Sequence, residues 1–460
     1  MFINDTICAQ ATANGTAAIS IIRLSGENAI EICKKIFVSK NTNFYDFKSH
    51  RIYFGNIQNG KNIIDEVLVS IFKAPNSYTG ENSVEISCHG SAYICSKILE
   101  LLIDNGARIA KHGEFTMRAF LNGKLDLSQA EAVADLISSN SKASHSLALS
   151  QMRGGFSNII KDLRKELVNF ASLIELELDF SEEDVEFADR KALTNLLDNL
   201  KYEITNLINS FAMGNVLKHG IPVAIIGKPN VGKSTLLNSL LNEEKAIVSE
   251  IPGTTRDSIE DILNINGITF RFIDTAGLRK SDDIIENIGI ERTYQKLNQA
   301  DIILYVVDIF ETSVDEILAS VEDFKQHIEN KDKRIIIIAN KTDLLMKTPQ
   351  HFSDLLSLEV IFISAKRKEN INLIAETLLK YVSTDTNPDK TIISNLRHYE
   401  ALSKTLDSIN QIETGLINGI PGDLIAIDLK KALLHLGEIT GEVTNDEILT
   451  NIFANFCIGK

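Results

Sequence analysis

The apolar positions of this chain change period along its length, and the changes divide it into parts. Residues 17–23 read as a strand, and 26–37 then show helical spacing at Ala29, Ile30, Cys33 and Phe37. Strand-like runs follow at 51–57, 67–72 and 84–88, then a helix from Tyr93 to about Asn105, which together predict a small α+β domain over 1–122. After Gly123-Lys124 the period becomes helical. Ile160, Leu163, Leu167, Phe170, Ile174 and Leu178 form a stripe that must pack on another helix, and a further helix is expected around 196–217. Helices return at 395–416 and 423–436, the second with Leu429, Ala432, Leu433 and Leu436 on one face. Between these stretches, β-type runs at 223–227, 269–274, 301–308, 334–340 and 360–364 alternate with helical segments. That alternation predicts a doubly wound parallel sheet with its ligand at the carboxyl ends of the strands. The expected fold class is therefore multidomain α/β plus α. An N-terminal α+β domain (1–122) is followed by a helical domain in two parts (123–217 and 384–460), with a Ras-like doubly wound domain (218–383) inserted in it.

Composition narrows the class. At 460 residues the chain is too long for one core, and 44% apolar with 24% charged residues is ordinary for globular domains. A net charge of −15 argues against a protein whose main task is coating nucleic acid. Five cysteines with no C-x-x-C pair indicate neither a disulfide framework nor a zinc site. No apolar stretch is long enough to span a bilayer, and no basic segment precedes an apolar run at the start, so a cytosolic protein is expected. The acidic run 175–189 reads as a solvated helix end and loop rather than a metal site.

The chemistry centres on Gly227-Lys228-Pro229-Asn230-Val231-Gly232-Lys233-Ser234, which follows an apolar strand and opens a helix at Thr235. A strand, a glycine-bearing turn and a helix start in that order form a phosphate cradle, with the helix dipole adding positive potential. Lys233 would reach the β- and γ-phosphates and Ser234 would ligate Mg²⁺. Asp274-Thr275-Ala276-Gly277 closes another strand, where Asp274 can hold Mg²⁺ through water and the Gly277 N–H can meet a γ-phosphate. Asn340-Lys341-Thr342-Asp343 closes a third, and a carboxylate there accepts two hydrogen bonds from guanine that adenine cannot offer. Ser364-Ala365-Lys366 would add backbone contacts to the base. Gly253-Thr254-Thr255-Arg256-Asp257 lies where a switch segment belongs, with Thr255 a second Mg²⁺ ligand. These pieces define a GTP-binding domain. Leu278 stands where Ras-like sites place a glutamine, so positioning of the attacking water needs another source.

Asn230, the 253–257 segment, Leu278 and the terminal Phe456-Cys457-Ile458-Gly459-Lys460 together resemble the MnmE (TrmE) tRNA-modification GTPases, within the K⁺-activated TrmE-Era-EngA-YihA-Septin-like class. The resemblance runs from Asp5 to Lys460 and includes Arg118-Ala119-Phe120-Leu121-Asn122-Gly123-Lys124-Leu125-Asp126-Leu127. It implies a homodimer formed through the N-terminal domain, which binds 5,10-methylene-tetrahydrofolate, or 5-formyl-tetrahydrofolate as its analogue, at Arg23, Glu85, Lys124 and Lys460. Read from the residues alone, Arg23 and Glu85 would be a solvated strand face, and Tyr78-Thr79-Gly80-Glu81 is turn chemistry. It implies K⁺ beside the phosphates on Asn230, Ser249, Ile251 and Thr254, within a nucleotide-contacting segment that includes Glu250, Pro252, Gly253 and Thr255. Val231, Gly232 and Thr235 join the loop contacts, Glu286 orients the hydrolytic water, and Lys233 acts on the phosphates. Cys457 is either part of the chemistry or merely packed. The implied partners are the flavoprotein MnmG (GidA), in a heterotetramer, and tRNA, whose wobble uridine is modified at C5. The alternative is a regulatory ribosome- or RNA-associated GTPase switch without folate chemistry, and a third reading is a nucleotide-binding scaffold without turnover.

Overall fold

The computed structural model describes residues 5–39, 47–179, 190–243, 261–273, 297–328, 333–344, 358–381, 391–444, 446–454, 456 and 458–459. They fall into two compact units, one drawn from Met1–Ile137, Ala148–Asn206 and Arg397–Lys460, the other from Ser138–Leu147 and Leu207–Leu396.

The first unit holds a seven-stranded sheet of β1 (Thr6–Gln10), β2 (Ala17–Ser25), β3 (Phe37–Ser39), β4 (Arg51–Asn59), β5 (Asn62–Phe72), β6 (Ser83–Gly90) and β7 (Ala107–Ile109), in the order β3-β4-β5-β6-β2-β1-β7. Only the β1–β7 pair is parallel. Alternation sends Ile22, Leu24, Val69, Ile71, Val84 and Ile86 to one face, where α1 (Ala29–Ile36) and α2 (Ala92–Asp104) cover them with Ile32, Ile98 and Leu102. The opposite face carries Arg23 and Glu85 in register, and beside them exposed Ile19, Ile52, Phe54 and Leu68. The strand β1 and the three-residue strands β3 and β7 extend the sheet beyond the three central runs and the 17–23 strand expected from periodicity.

Helices complete this unit: α3 (Glu114–Leu121), α4 (Leu127–Ser138), part of α5 (Lys142–Met152), α6 (Gly155–Asp179) and the start of α7 (Arg190–His219). The stripe Ile160, Leu163, Leu167, Phe170 and Ile174 on α6 is buried. The later helices of this unit are α11 (Leu396–Ile417), α12 (Gly422–Thr440) and α13 (Asp446–Ala454). α12 packs along α6, burying Ile425, Leu429, Ala432, Leu436 and Ile439. Leu433 is only half-buried, because Ile425 and Ile439 rather than Leu433 continue the buried line. Of the acidic run, 180–189 lies outside the described residues, and 175–179 continue α6.

The second unit is a six-stranded sheet with helices on both faces. Its strands are β8 (Ile221–Ile226), β9 (Asp261–Ile265), β10 (Ile268–Phe272), β11 (Ile302–Asp308), β12 (Arg334–Asn340) and β13 (Glu359–Phe362), ordered β13-β12-β11-β8-β10-β9. One apolar layer sets Ile225 and Ile338 against α8 (Lys233–Glu243) and α10 (Ile371–Lys380); the other sets Ile226 and Tyr305 against α9 (Val314–His327). The five strands expected from the sequence pair in parallel, and a sixth that was not expected, β9, adds to the edge antiparallel to β10. The cause is local. Asn266 and Gly267 both take positive φ, 51° and 86°, which makes a two-residue hairpin turn, and the Gly267 N–H donates to Asn264 Oδ1.

Candidate functional site

The phosphate loop follows the last residue of β8 and ends in the first turn of α8. Gly227 has φ of 148° and a Cβ on it would stand 2.2 Å from the Val306 carbonyl oxygen, so the loop leaves the sheet by a path open only to glycine. Gly232 has φ of 97°, and a Cβ there would stand 2.3 Å from Asn340 Nδ2. Asn230 also takes positive φ, 62°, a conformation that asparagine tolerates better than most residues. The Lys233 ammonium donates to the carbonyls of Gly227 at 2.8 Å and Lys228 at 2.6 Å, closing the loop on itself. Val231 is buried, whereas Ser234 and Thr235 are exposed at the helix N-terminus, where a hydroxyl can meet a phosphate-bound cation.

Asn340 ties three segments together. Its Nδ2 donates to the Val231 carbonyl at 2.8 Å, and its Oδ1 accepts from the Ala365 N–H at 3.0 Å. The phosphate loop and the two base-recognition segments therefore share one side chain at the carboxyl end of β12. Lys341, at φ of 72°, pairs with the buried carboxylate of Asp308 at 2.5 Å. Asp343 accepts from the Ser364 hydroxyl at 2.8 Å, and Ser364 Oγ also accepts from the Arg367 N–H at 3.1 Å. Ser239 on α8 donates to the Ala365 carbonyl at 3.0 Å, a support that the sequence motifs do not mark. Asp308 is a second such residue. Thr342 opens a single 3₁₀ turn (Thr342–Leu344), and Lys366 is exposed after Ala365.

Ser249, Glu250, Ile251, Pro252, Gly253, Thr254, Thr255, Asp274, Thr275, Ala276, Gly277, Leu278 and Glu286 lie outside the described residues, as do Cys457 and Lys460. The residues around the last two are placed. Ile458 bridges His112, His112 Nδ1 is 2.9 Å from the Phe456 carbonyl oxygen, and a Cβ on Gly459 would stand 2.3 Å from the Gln10 carbonyl oxygen. Gln10 ends β1, whose neighbour Ala9 is paired with Arg23.

Around Arg23 a second polar group assembles. Its Nε donates to Glu85 Oε1 at 3.0 Å and its Nη2 lies 2.8 Å from the same oxygen, across the β2–β6 register. The guanidinium stands 5.5 Å from the Tyr78 ring centre and 5.8 Å from that of Phe115. The Tyr78 hydroxyl is 2.9 Å from Thr116 Oγ1, and burial pushes its pKa up, against the opposing pull of Thr116 and Arg23. Lys124 is exposed, and its stem lies beside Gly80 of the neighbouring turn. A Cβ on Gly80 would be 3.4 Å from Lys124 Cγ. Arg23 and Glu85 are thus partners on a half-buried patch rather than independent solvated charges. Tyr78 and Phe115 were not among the expected site residues; the Tyr78–Gly80 turn was visible in the sequence, but its aim at Arg23 was not.

Among the described residues no three His, Cys, Asp or Glu side chains gather as a metal site, and none of the helices is long and apolar enough to cross a membrane. The GTP-binding protein TrmE N-terminus family matches residues 6–124 and the MnmE helical domain family matches 127–457. The tRNA modification GTPase MnmE of Flavobacterium psychrophilum is 54% identical over 462 residues, covering 100% of both chains. That of Bacteroides fragilis is 53% identical over 467 residues, covering 99% of each. A solved structure of the G domain of the T. maritima FeoB iron transporter is 25% identical over 35% of this chain and 98% of its own, at a TM-score of 0.26. With both family matches and these end-to-end relatives in agreement, the chain belongs to the MnmE family of tRNA modification GTPases.

Proposed function

We propose that this chain is a K⁺-stimulated GTPase that works with the flavoprotein MnmG (GidA) to add aminomethyl or carboxymethylaminomethyl groups at C5 of the wobble uridine, U34, of certain tRNAs. The observation that carries the reading is the 54% identity, end to end, to a tRNA modification GTPase. The geometry supports it in two places. The glycine cradle at Gly227 and Gly232, joined through Asn340 to the guanine-recognition segments, fits a guanine nucleotide. Ser234 and Thr255 hold Mg²⁺ on its phosphates, and Asn230 with Ser249, Ile251 and Thr254 holds K⁺. The potassium ion supplies positive charge where an arginine finger would, without a separate activating protein. Glu286 orients the hydrolytic water, a role that Leu278 cannot fill.

On the sheet of the first unit, Arg23 and Glu85 offer a paired cation and carboxylate beside aromatic surface, which fits a flat heterocycle bearing donors and acceptors. In this reading Arg23, Glu85, Lys124 and Lys460 bind 5,10-methylene-tetrahydrofolate, which supplies the one-carbon unit. Gly459, packed against Gln10 at the end of β1, supports bringing the C-terminal segment to this site. The exposed Ile19, Ile52, Phe54 and Leu68 on the same sheet face support a homodimer through residues 1–122. The chain works in the cytosol, with the G domain at 218–383 inserted between the helical segments 123–217 and 384–460.

The experiment is mass spectrometry of tRNA nucleosides from a strain lacking the chain, with and without its restoration. C5-substituted wobble uridines disappear in the deletion, return with wild type and fail to return with Lys233→Ala. An unaltered nucleoside profile in the deletion would overturn the tRNA assignment and leave a GTPase.

A further inference from the structure

Beneath the 77–81 turn the buried side chains of Arg118 and Glu114 centre an ion cluster that the folate reading does not use, with Asp5 and Arg108 partly exposed at its edge. Arg118 on α3 has 2% of its side chain exposed. Its Nη1 donates to the Asp5 carbonyl at 2.9 Å and to both Glu81 carboxylate oxygens at 3.2 Å. Its Nη2 donates to Asp5 Oδ1 at 2.6 Å and Glu114 Oε1 at 3.0 Å. Arg108 pairs with the same Asp5 and Glu114 carboxylates. Stability alone is a weak account of such a cluster, because apolar residues of similar volume often replace buried ion networks at no loss. What the cluster does is geometric.

Glu81 is gripped from below by Arg118 and from the side by the Ser25 hydroxyl, 2.7 Å from Oε2. Ser25 also lies 2.6 Å from Thr79 Oγ1, and the Thr79 carbonyl accepts from Asn122 Nδ2 at 2.7 Å. The residues on either side of Gly80 are therefore fixed, and with them the two groups the turn presents. Tyr78 stands with its ring toward Arg23, and Gly80 stands against the stem of Lys124.

The geometry points to Arg118 as a positioning residue: acting through Glu81, its guanidinium sets where the Tyr78 ring stands beside the Arg23–Glu85 pair. The assignment rests on the folate reading of that pair. Only a planar fork satisfies Asp5, Glu81 and Glu114 together; a lysine keeps the charge and loses the geometry.

The test is calorimetric titration of the full-length chain with 5-formyltetrahydrofolate, alongside GTP turnover. Arg118→Lys weakens folate binding by about tenfold or more and leaves turnover unchanged. The same substitution placed in a Tyr78→Ala background costs little further affinity, because the ring it positions is gone. Unchanged affinity in Arg118→Lys, or a loss that adds in full to that of Tyr78→Ala, would overturn the assignment. Should Arg118→Lys fail to fold, Glu81→Gln cuts the same link and is held to the same two criteria. If the wild-type chain shows no binding, the folate reading falls and takes this assignment with it. Wild-type binding with an indifferent variant removes Arg118 alone.

Discussion

At Gly232 the loop has no room for one more carbon. The added methyl of Gly232→Ala would stand 2.3 Å from Asn340 Nδ2 at a φ of 97°. Strain on the order of 1–3 kcal/mol is expected to weaken GTP binding roughly ten- to hundredfold, readable by titration with a fluorescent GTP analogue; wild-type affinity would mean that Asn340 moves aside without cost. Asp343→Asn is expected to shift preference from GTP toward xanthosine triphosphate, because the amide places a donor where guanine needs an acceptor. Turnover assays with both nucleotides check it, and retained GTP preference would place base recognition elsewhere. These residues were legible because phosphate and guanine recognition need fixed residue types at fixed short spacings. Arg118 was not legible as a supporting residue, since its partners Asp5 and Glu81 are far from it in sequence and only the fold brings them together.

At the scale of elements, helix packing in the first unit is pinned by one carboxylate. Glu131 on α4 accepts Arg397 Nε at 3.0 Å and Nη2 at 2.9 Å, and lies 2.8 Å from His398 Nε2, both partners being in the first turn of α11. Arg397 Nη2 continues to the Ile439 carbonyl on α12 at 3.1 Å. Burial pushes the Glu131 pKa up, but His398 and Arg397 outweigh it and hold the carboxyl at about 2. A depressed carboxylate stabilises the fold above its unfolded pKa. The contribution, on the order of 3 kcal/mol, is therefore present at neutral pH and lost as pH falls from about 4.5 toward about 2. Glu131→Gln should lower the melting temperature at pH 7 and match wild type near pH 2; an equal deficit at both would show that charge is not the cause. Phe170→Ala on the α6 stripe should cost about 3–5 kcal/mol in denaturant unfolding. That stripe was legible because helical periodicity survives over a long element. The β9 strand was not, because Asp261 and Asn264 break its apolar run, although Asn266-Gly267 carried the hairpin signal.

At the scale of the whole molecule, the open face of the seven-stranded sheet sets a testable expectation about assembly. Leu68 is 46% exposed and Phe54, its cross-strand neighbour, 44%. Leu68→Asp should convert a dimer to a monomer in sedimentation velocity while GTP binding per chain is retained; a dimer that persists would move the contact to another surface. The arrangement of the first unit also bears on how the chain is made. α12 packs along α6 but begins about 240 residues after α6 ends. At roughly 5–20 residues per second, Leu167 and Phe170 leave the ribosome some ten to fifty seconds before the helix that covers them. The six strands of the nucleotide unit emerge within that interval, so the α6 stripe waits without its α12 partner while that whole unit is made, and a chain that ends before residue 422 never gains it.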